Sequence, residues 1–137
     1  MADTVTANSR PSAPLPNRYL EGAHAPVAEE VTLTDPGVTG TLPPEWDGRY
    51  LRNGPNPLGP VDPATYHWFT GDAMVHGLRL RDGRAEWYRN RWVRSTNVSE
   101  AFGEPPAPGE RHGGMETANT NVIGVGGRTM AIVEAGA

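Results

Sequence analysis

Cysteine is absent from the 137 residues. That absence excludes disulfides, thiolate catalysis and cysteine-based zinc or iron–sulfur sites. Lysine is absent too, so all twelve basic residues are arginine and the formal net charge is −4. A basic surface for nucleic acid or anionic lipid is therefore not expected. No window approaches the ~18 apolar residues of a membrane-spanning helix. The N-terminus, Met1-Ala2-Asp3-Thr4-Val5, lacks the basic and apolar regions of a secretory signal. These features suit a reducing cytoplasm. No segment shows a convincing helical period.

Glycine and proline, by contrast, are abundant, with 17 and 14 residues in a chain that is only 36% hydrophobic. They lie between aromatic and aliphatic runs, as turns do in an all-β protein. Residues 1–16 carry little to bury and read as a disordered tail. Residues 21–39 surround the short β-prone piece Val31-Thr32-Leu33 and read as an arm wrapped on a larger body. Arg49 to Arg52 is a short strand candidate. Asn53-Gly54-Pro55-Asn56-Pro57 follows as a rigid, non-repetitive corner, because proline fixes φ and lacks an N–H.

Two hairpins follow. Met74–Arg81 and Arg84–Arg94 flank Asp82-Gly83, the strongest short-range hairpin signal. Asn121–Val125 and Arg128–Glu134 flank Gly126-Gly127, with Met130 and Ile132 expected on the apolar face. The two turns are 44 positions apart, within the range of a propeller blade repeat. Glu104 to Gly109 reads as a loop. Both hairpins are expected to leave open edges, which suggests a piece of a larger β-structure.

The chemistry-bearing residues are sparse. His24, His67, His76 and His112 form no H-x-H or H-x-x-x-H pair, so no local metal-ligand pair is encoded. Read alone, His67 and His76 are packed or hydrogen-bonded structural residues. Asp72 could bind metal or cap its own turn, and the turn role is favoured. Asn53, Asn56, Asn119 and Asn121 can satisfy nearby backbone in the same way. Tyr66, Trp68 and Phe69 could line a pocket for a long apolar substrate or fill a core. Glu134 follows the apolar run Met130-Ala131-Ile132-Val133 on a strand expected to be largely buried. There it would need a partner, unless it reaches solvent at the strand end. A phosphate-binding loop, a G-x-S-x-G elbow and a nucleic-acid surface are all missing.

The ordered set of motifs is specific. Leu42-Pro43 with Asp47-Gly48 is followed by Arg52-Asn53-Gly54-Pro55-Asn56-Pro57 and His67-Trp68-Phe69. Gly71-Asp72, Met74-Val75-His76, Arg89-Asn90-Arg91 and Asn119-Thr120-Asn121 complete it. From Tyr19 to Gly136 the chain resembles the carotenoid cleavage oxygenase family. The resemblance implies the N-terminal portion of a seven-bladed β-propeller, with residues 17–137 as its arm and first strands. It implies a non-heme dioxygenase whose Fe(II), held by four histidines, and O₂ cleave an alkene of a carotenoid, apocarotenoid or stilbenoid into two carbonyls. Peripheral membrane contact is open. It also implies that Glu134 is a carboxylate accepting an N–H bond from an iron-ligating imidazole. No histidine of this chain matches an iron ligand, so no catalytic residue, no bound iron and no activity of the chain alone are expected. The family often has glycine where this chain has Ala73, which costs stability if φ is positive there. The rival readings are a non-catalytic β-module for binding or interaction, and a small metal protein assembled by oligomerisation through His67 and His76.

Overall fold

A computed structural model describes residues 16–109 and 116–134. Residues 1–15, most of the expected tail, and His112 lie outside the described residues. Among the described residues there are six strands and one α-helix: β1 Thr32–Thr34, β2 Gly48–Pro55, β3 Ala73–Arg81, β4 Arg84–Trp92, α1 Thr96–Phe102, β5 Asn121–Val125 and β6 Arg128–Ile132. Four strands form an antiparallel sheet in the order β1-β4-β3-β2, and β5-β6 is a separate two-stranded sheet. No helix among the described residues is long and apolar enough to cross a membrane.

Both expected hairpins form. Asp82 and Gly83 have φ of 49° and 68°, and Gly126 and Gly127 have 55° and 76°. Positive φ at both central residues gives the turn twist that matches the strands. In the first hairpin Arg79 pairs with Trp87 but Leu80 pairs with Ala85, so Glu86 is the extra residue of a bulge. The freed Glu86 carbonyl accepts from the Asp35 N–H at 2.9 Å.

The first hairpin is not bare at its edges, contrary to the sequence expectation. The arm covers β4 through β1, and β2 runs along β3 for eight residues. The strand β2 also corrects the expected corner, because it continues through Asn53 and Gly54 to Pro55. Proline fits there because β2 is the outer strand of its sheet and Pro55 is its last residue.

Two asparagines hold the arm ahead of β1. The Asn56 side chain accepts from Val27 N–H at 2.7 Å and donates to the Val27 carbonyl at 2.9 Å. The Asn90 side chain accepts from Val31 N–H at 2.6 Å and donates to the Glu29 carbonyl at 2.9 Å. Each side chain turns one N–H and its carbonyl oxygen to the arm, so it pairs there as a peptide unit does. Between them, Glu30 forms a two-pronged pair with Arg94 at 2.5 and 3.1 Å and accepts from Trp92 N–H at 2.8 Å. The Arg94 hydrogen bond holds the Glu30 carboxyl below its usual range.

The helix α1 was not apparent in the sequence, since seven residues are too few for a periodic stripe. Its boundaries are nonetheless conventional. Ser95 caps the start by accepting from Val98 N–H, and Gly103 ends it at φ 64°. Its Val98 joins Met74 and Trp92 in the core, with Leu58 packed against them. That core sits at one end of the β3-β4 hairpin. Ala73 lies in β3, outside the positive-φ residues, so it carries no left-handed strain. Glycine is required at 71 for space. A Cβ there would lie 2.5 Å from the Tyr66 hydroxyl and 3.3 Å from Pro55 Cβ.

Candidate functional site

A cleft of about 650 Å³ opens where the arm, β2, β3 and the foot of the second hairpin meet. Its aromatic side chains come from two elements. Tyr19 and His24 belong to the arm, and Trp68 and Phe69 belong to a 3-10 turn, Trp68–Thr70. Tyr19 stacks on Trp68 at a centroid separation of 5.3 Å, and His24 meets Trp68 edge-on at 5.3 Å. Phe69 is 61% exposed. The polar lining comes from elsewhere: Arg52 and Asn53 of β2, His76 of β3, and Asn119, Thr120 and Glu134 beside the second hairpin.

The hairpin is tied to β2 by Asn53, whose amide donates to the Ala118 and Asn121 carbonyls at 2.6 and 3.2 Å. Thr120 N–H donates to Ile132 O at 3.0 Å and extends the ladder by one rung. Thus Asn53 and Asn56 serve segments 29 to 68 residues away rather than their own turns. Asn121 behaves as expected, accepting from Val122 N–H. Asp72 likewise reaches outward, accepting from Leu58 N–H at 3.0 Å and from the Asn97 amide at 2.8 Å. It braces the loop before β3 rather than capping a turn.

Tyr66 separates from its two aromatic neighbours. It is buried beneath Gly71, whereas Trp68 and Phe69 face the cleft. His67 caps the 3-10 turn, its Nδ1 accepting from Phe69 N–H at 3.2 Å, and its ring lies edge-on to Tyr19. His76 Nδ1 lies 2.7 Å from the Tyr88 hydroxyl. Both histidines thus have structural partners, and they do not form a pair.

Burial, and then the Arg52 charge, hold His76 below its ordinary 6.5. The stability consequence has a definite sign. Above pH 6.5 both folded and unfolded chains hold this imidazole neutral. Below it the unfolded chain takes up a proton that folded His76 resists, so stability falls with pH until the folded value is passed. His76→Gln is expected to flatten that decline. Urea midpoints of both proteins between pH 7.5 and 5 test this, and equal slopes would contradict it.

Of the two places the sequence left open for Glu134, the structure shows the solvent-exposed strand end. It lies beyond the end of β6, and it is exposed. Among the described residues no layer covers the outward face of the second hairpin, and Met130 is 46% exposed and Val125 53%. The strand therefore buries no carboxylate. Glu134 still borders the cleft that contains Arg52 and His76.

Among the described residues, no three His, Asp or Glu side chains come together in a way that would hold a metal ion. The donor set does not fit an iron centre, since His67 and His76 are engaged elsewhere.

A family model described as retinal pigment epithelial membrane protein matches residues 24–137. The chain belongs to this family. Among its relatives, a carotenoid cleavage oxygenase of Mycobacterium tuberculosis is 64% identical over 123 residues, covering 88% of this chain and 25% of that protein. Carotenoid 9,10(9′,10′)-cleavage dioxygenase 1 of Phaseolus vulgaris is 45% identical over 87 residues, covering 63% of this chain and 16% of that protein. The lignostilbene dioxygenase of Pseudomonas brassicacearum superposes with a TM-score of 0.67 at 25% identity. It covers 90% of this chain and 27% of its own. A Synechocystis apocarotenoid oxygenase variant gives 0.62 at 26%, covering 80% and 26%. The motif-based family assignment therefore holds. The chain spans about a quarter, or less, of the length of the curated family relatives it matches.

Proposed function

We propose that this chain supplies the arm and first strands of a seven-bladed propeller dioxygenase. The reaction is oxidative cleavage of an alkene by O₂ into two carbonyl products, with Fe(II) as cofactor. Its substrates are carotenoids, apocarotenoids or stilbenoids. The observation carrying this reading is the 64% identity to a carotenoid cleavage oxygenase across nearly the whole chain. The fold similarity to a lignostilbene dioxygenase supports the same reading. The iron and its ligands belong to residues outside those described, and the chain by itself is inactive.

The test separates the two halves of this reading. A longer protein that continues the reading frame, loaded with Fe(II), should convert an apocarotenoid or hydroxystilbene into two carbonyl fragments seen by mass spectrometry. The 137-residue chain should convert neither. Elemental analysis after anaerobic Fe(II) loading should find no tightly held iron on it, and one iron per chain would overturn the division.

Glu134 is proposed to accept an N–H bond from an iron-ligating imidazole in the longer protein. Its place at the edge of the cleft, free of burial in its own strand, supports this role. Such a carboxylate fixes the tautomer and orientation of its imidazole. Glu134→Gln in the longer protein should cost about 10- to 100-fold in iron affinity or activity. Unchanged iron content and turnover would remove Glu134 from the role.

A further inference from the structure

A second recess, of about 420 Å³, shares no lining residue with the cleft. Residues 57–61 form one part of it, Tyr66 and residues 70–72 another, and Asn97 and Ala101 of α1 the third. Its charge comes from Asp72, which is half-buried. Oδ2 accepts from Leu58 N–H at 3.0 Å and Oδ1 from the Asn97 amide at 2.8 Å, and both donors are neutral. A carboxylate has about four acceptor sites, so capacity remains. Ion pairs among the described residues use Glu30, Asp35, Asp47, Glu86 and Glu104, and Asp72 joins none of them. The Tyr66 hydroxyl stands over Gly71 in the same recess. Burial, and then the Asp72 charge, push that hydroxyl above its ordinary 10.0. The field of the carboxylate is thus felt inside the recess. A carboxylate held partly out of water without a counter-ion is unfavourable, and a cation would relieve it.

We propose that this recess binds an organic cation: an ammonium or guanidinium group carried on a short apolar body. The Asp72 carboxylate takes the charged N–H donors, and such bonds are stronger than neutral ones. The Tyr66 hydroxyl is a further acceptor at the same place. Leu58, Val61 and Ala101 line the recess and take the apolar body. The same carboxylate repels an anion, and a neutral molecule gains no charged contact. A metal ion would find a single carboxylate here, with no group of three metal-ligating side chains among the described residues. The cation can come from two sources, a free amine or an arginine or lysine side chain of a longer protein. The second source rests on the reading that this chain opens such a protein. The group recognised is the same in both.

To test this, n-butylammonium chloride is titrated into the isotope-labelled 137-residue chain and followed by NMR. The reporters are the Leu58 backbone and Asn97 side-chain N–H signals, since both groups donate to Asp72. Saturable shifts are expected, and n-butanol, neutral and of similar length, should give none. Asp72→Asn should weaken binding by roughly tenfold or more, the scale of a lost bond to a charged group. Ala101 is exposed on α1, so Ala101→Leu should fill the recess and weaken binding without disturbing the fold. Glu100 is its exposed neighbour outside the recess, so Glu100→Gln should leave affinity unchanged. Circular dichroism checks that each variant keeps the parent fold. The site is overturned by an absence of saturable shifts or by an equal response to n-butanol. Unchanged affinity in Asp72→Asn or Ala101→Leu overturns it too, as does equal weakening by Glu100→Gln. Repeating the titration on a longer protein separates the sources. Retained binding there supports a free amine, and lost binding supports a side chain already seated on Asp72. No readout involves iron or alkene cleavage, so failure of the proposed activity would leave the recess standing.

Discussion

Trp92→Ala is expected to destabilise the chain by about 3–5 kcal/mol, the usual cost of deleting a buried large aromatic side chain. Trp92 is 4% exposed and pairs with Met74 across the hairpin. It also meets Phe102 of α1 edge-on at 5.8 Å, so it joins sheet to helix. The core has few other members: Met74, Val98 and the partly buried Leu58. The same indole donates from Nε1 to the Asn56 carbonyl at 3.0 Å. Trp92→Phe should therefore be intermediate. It retains much of the ring burial but leaves the Asn56 carbonyl without that donor, at about 1–3 kcal/mol. Small domains have only about 5–15 kcal/mol in total, so the alanine variant should show a large loss in urea midpoint. A loss below about 1 kcal/mol, or equal losses in both variants, would contradict this account of the core.

The second large effect is expected at Asn90, which is 1% exposed. Asn90→Leu keeps the approximate volume but removes both amide bonds to the arm. Val31 N–H and the Glu29 carbonyl then lose their partners. Each buried group left unsatisfied costs about 1–3 kcal/mol, less whatever the arm regains by moving into water. The net loss should be about 2 kcal/mol or more. It should also be local, with faster amide exchange at Val31 and faster proteolysis between residues 21 and 31. Asn90→Asp retains the acceptor for Val31 but faces the Glu29 carbonyl with a second acceptor, so it should not rescue the leucine variant. An unchanged Val31 exchange rate in Asn90→Leu would show that Glu30 and Asn56 hold the arm without it.

These two residues mark where sequence reasoning stopped. Trp92 was legible as an apolar residue of a strand, but its contact with a helix was not. The helix α1 offers seven residues, and its signals, Ser95 and Gly103, are a cap and a stop without a periodic stripe between them. Asn56 reads as a residue that satisfies local backbone, and Asn90 reads only as the centre of the Arg89-Asn90-Arg91 motif. Their partners are 29 to 61 residues away, and no local rule can supply them. For Glu134 the sequence left burial and a solvent-exposed strand end both open, because a two-stranded hairpin buries a face only if a second layer covers it.

Local chemistry by itself determined the two turns, because Asp-Gly and Gly-Gly tolerate positive φ whatever surrounds them. It also determined the family, through an ordered set of turn and aromatic motifs spread along most of the chain. Tertiary structure decided how the arm is held, which aromatics are buried and which line the cleft, and that Glu134 is exposed. Burial and long-range hydrogen bonding depend on which segments meet. That meeting is fixed by packing across tens of residues, not by the identity of any one of them.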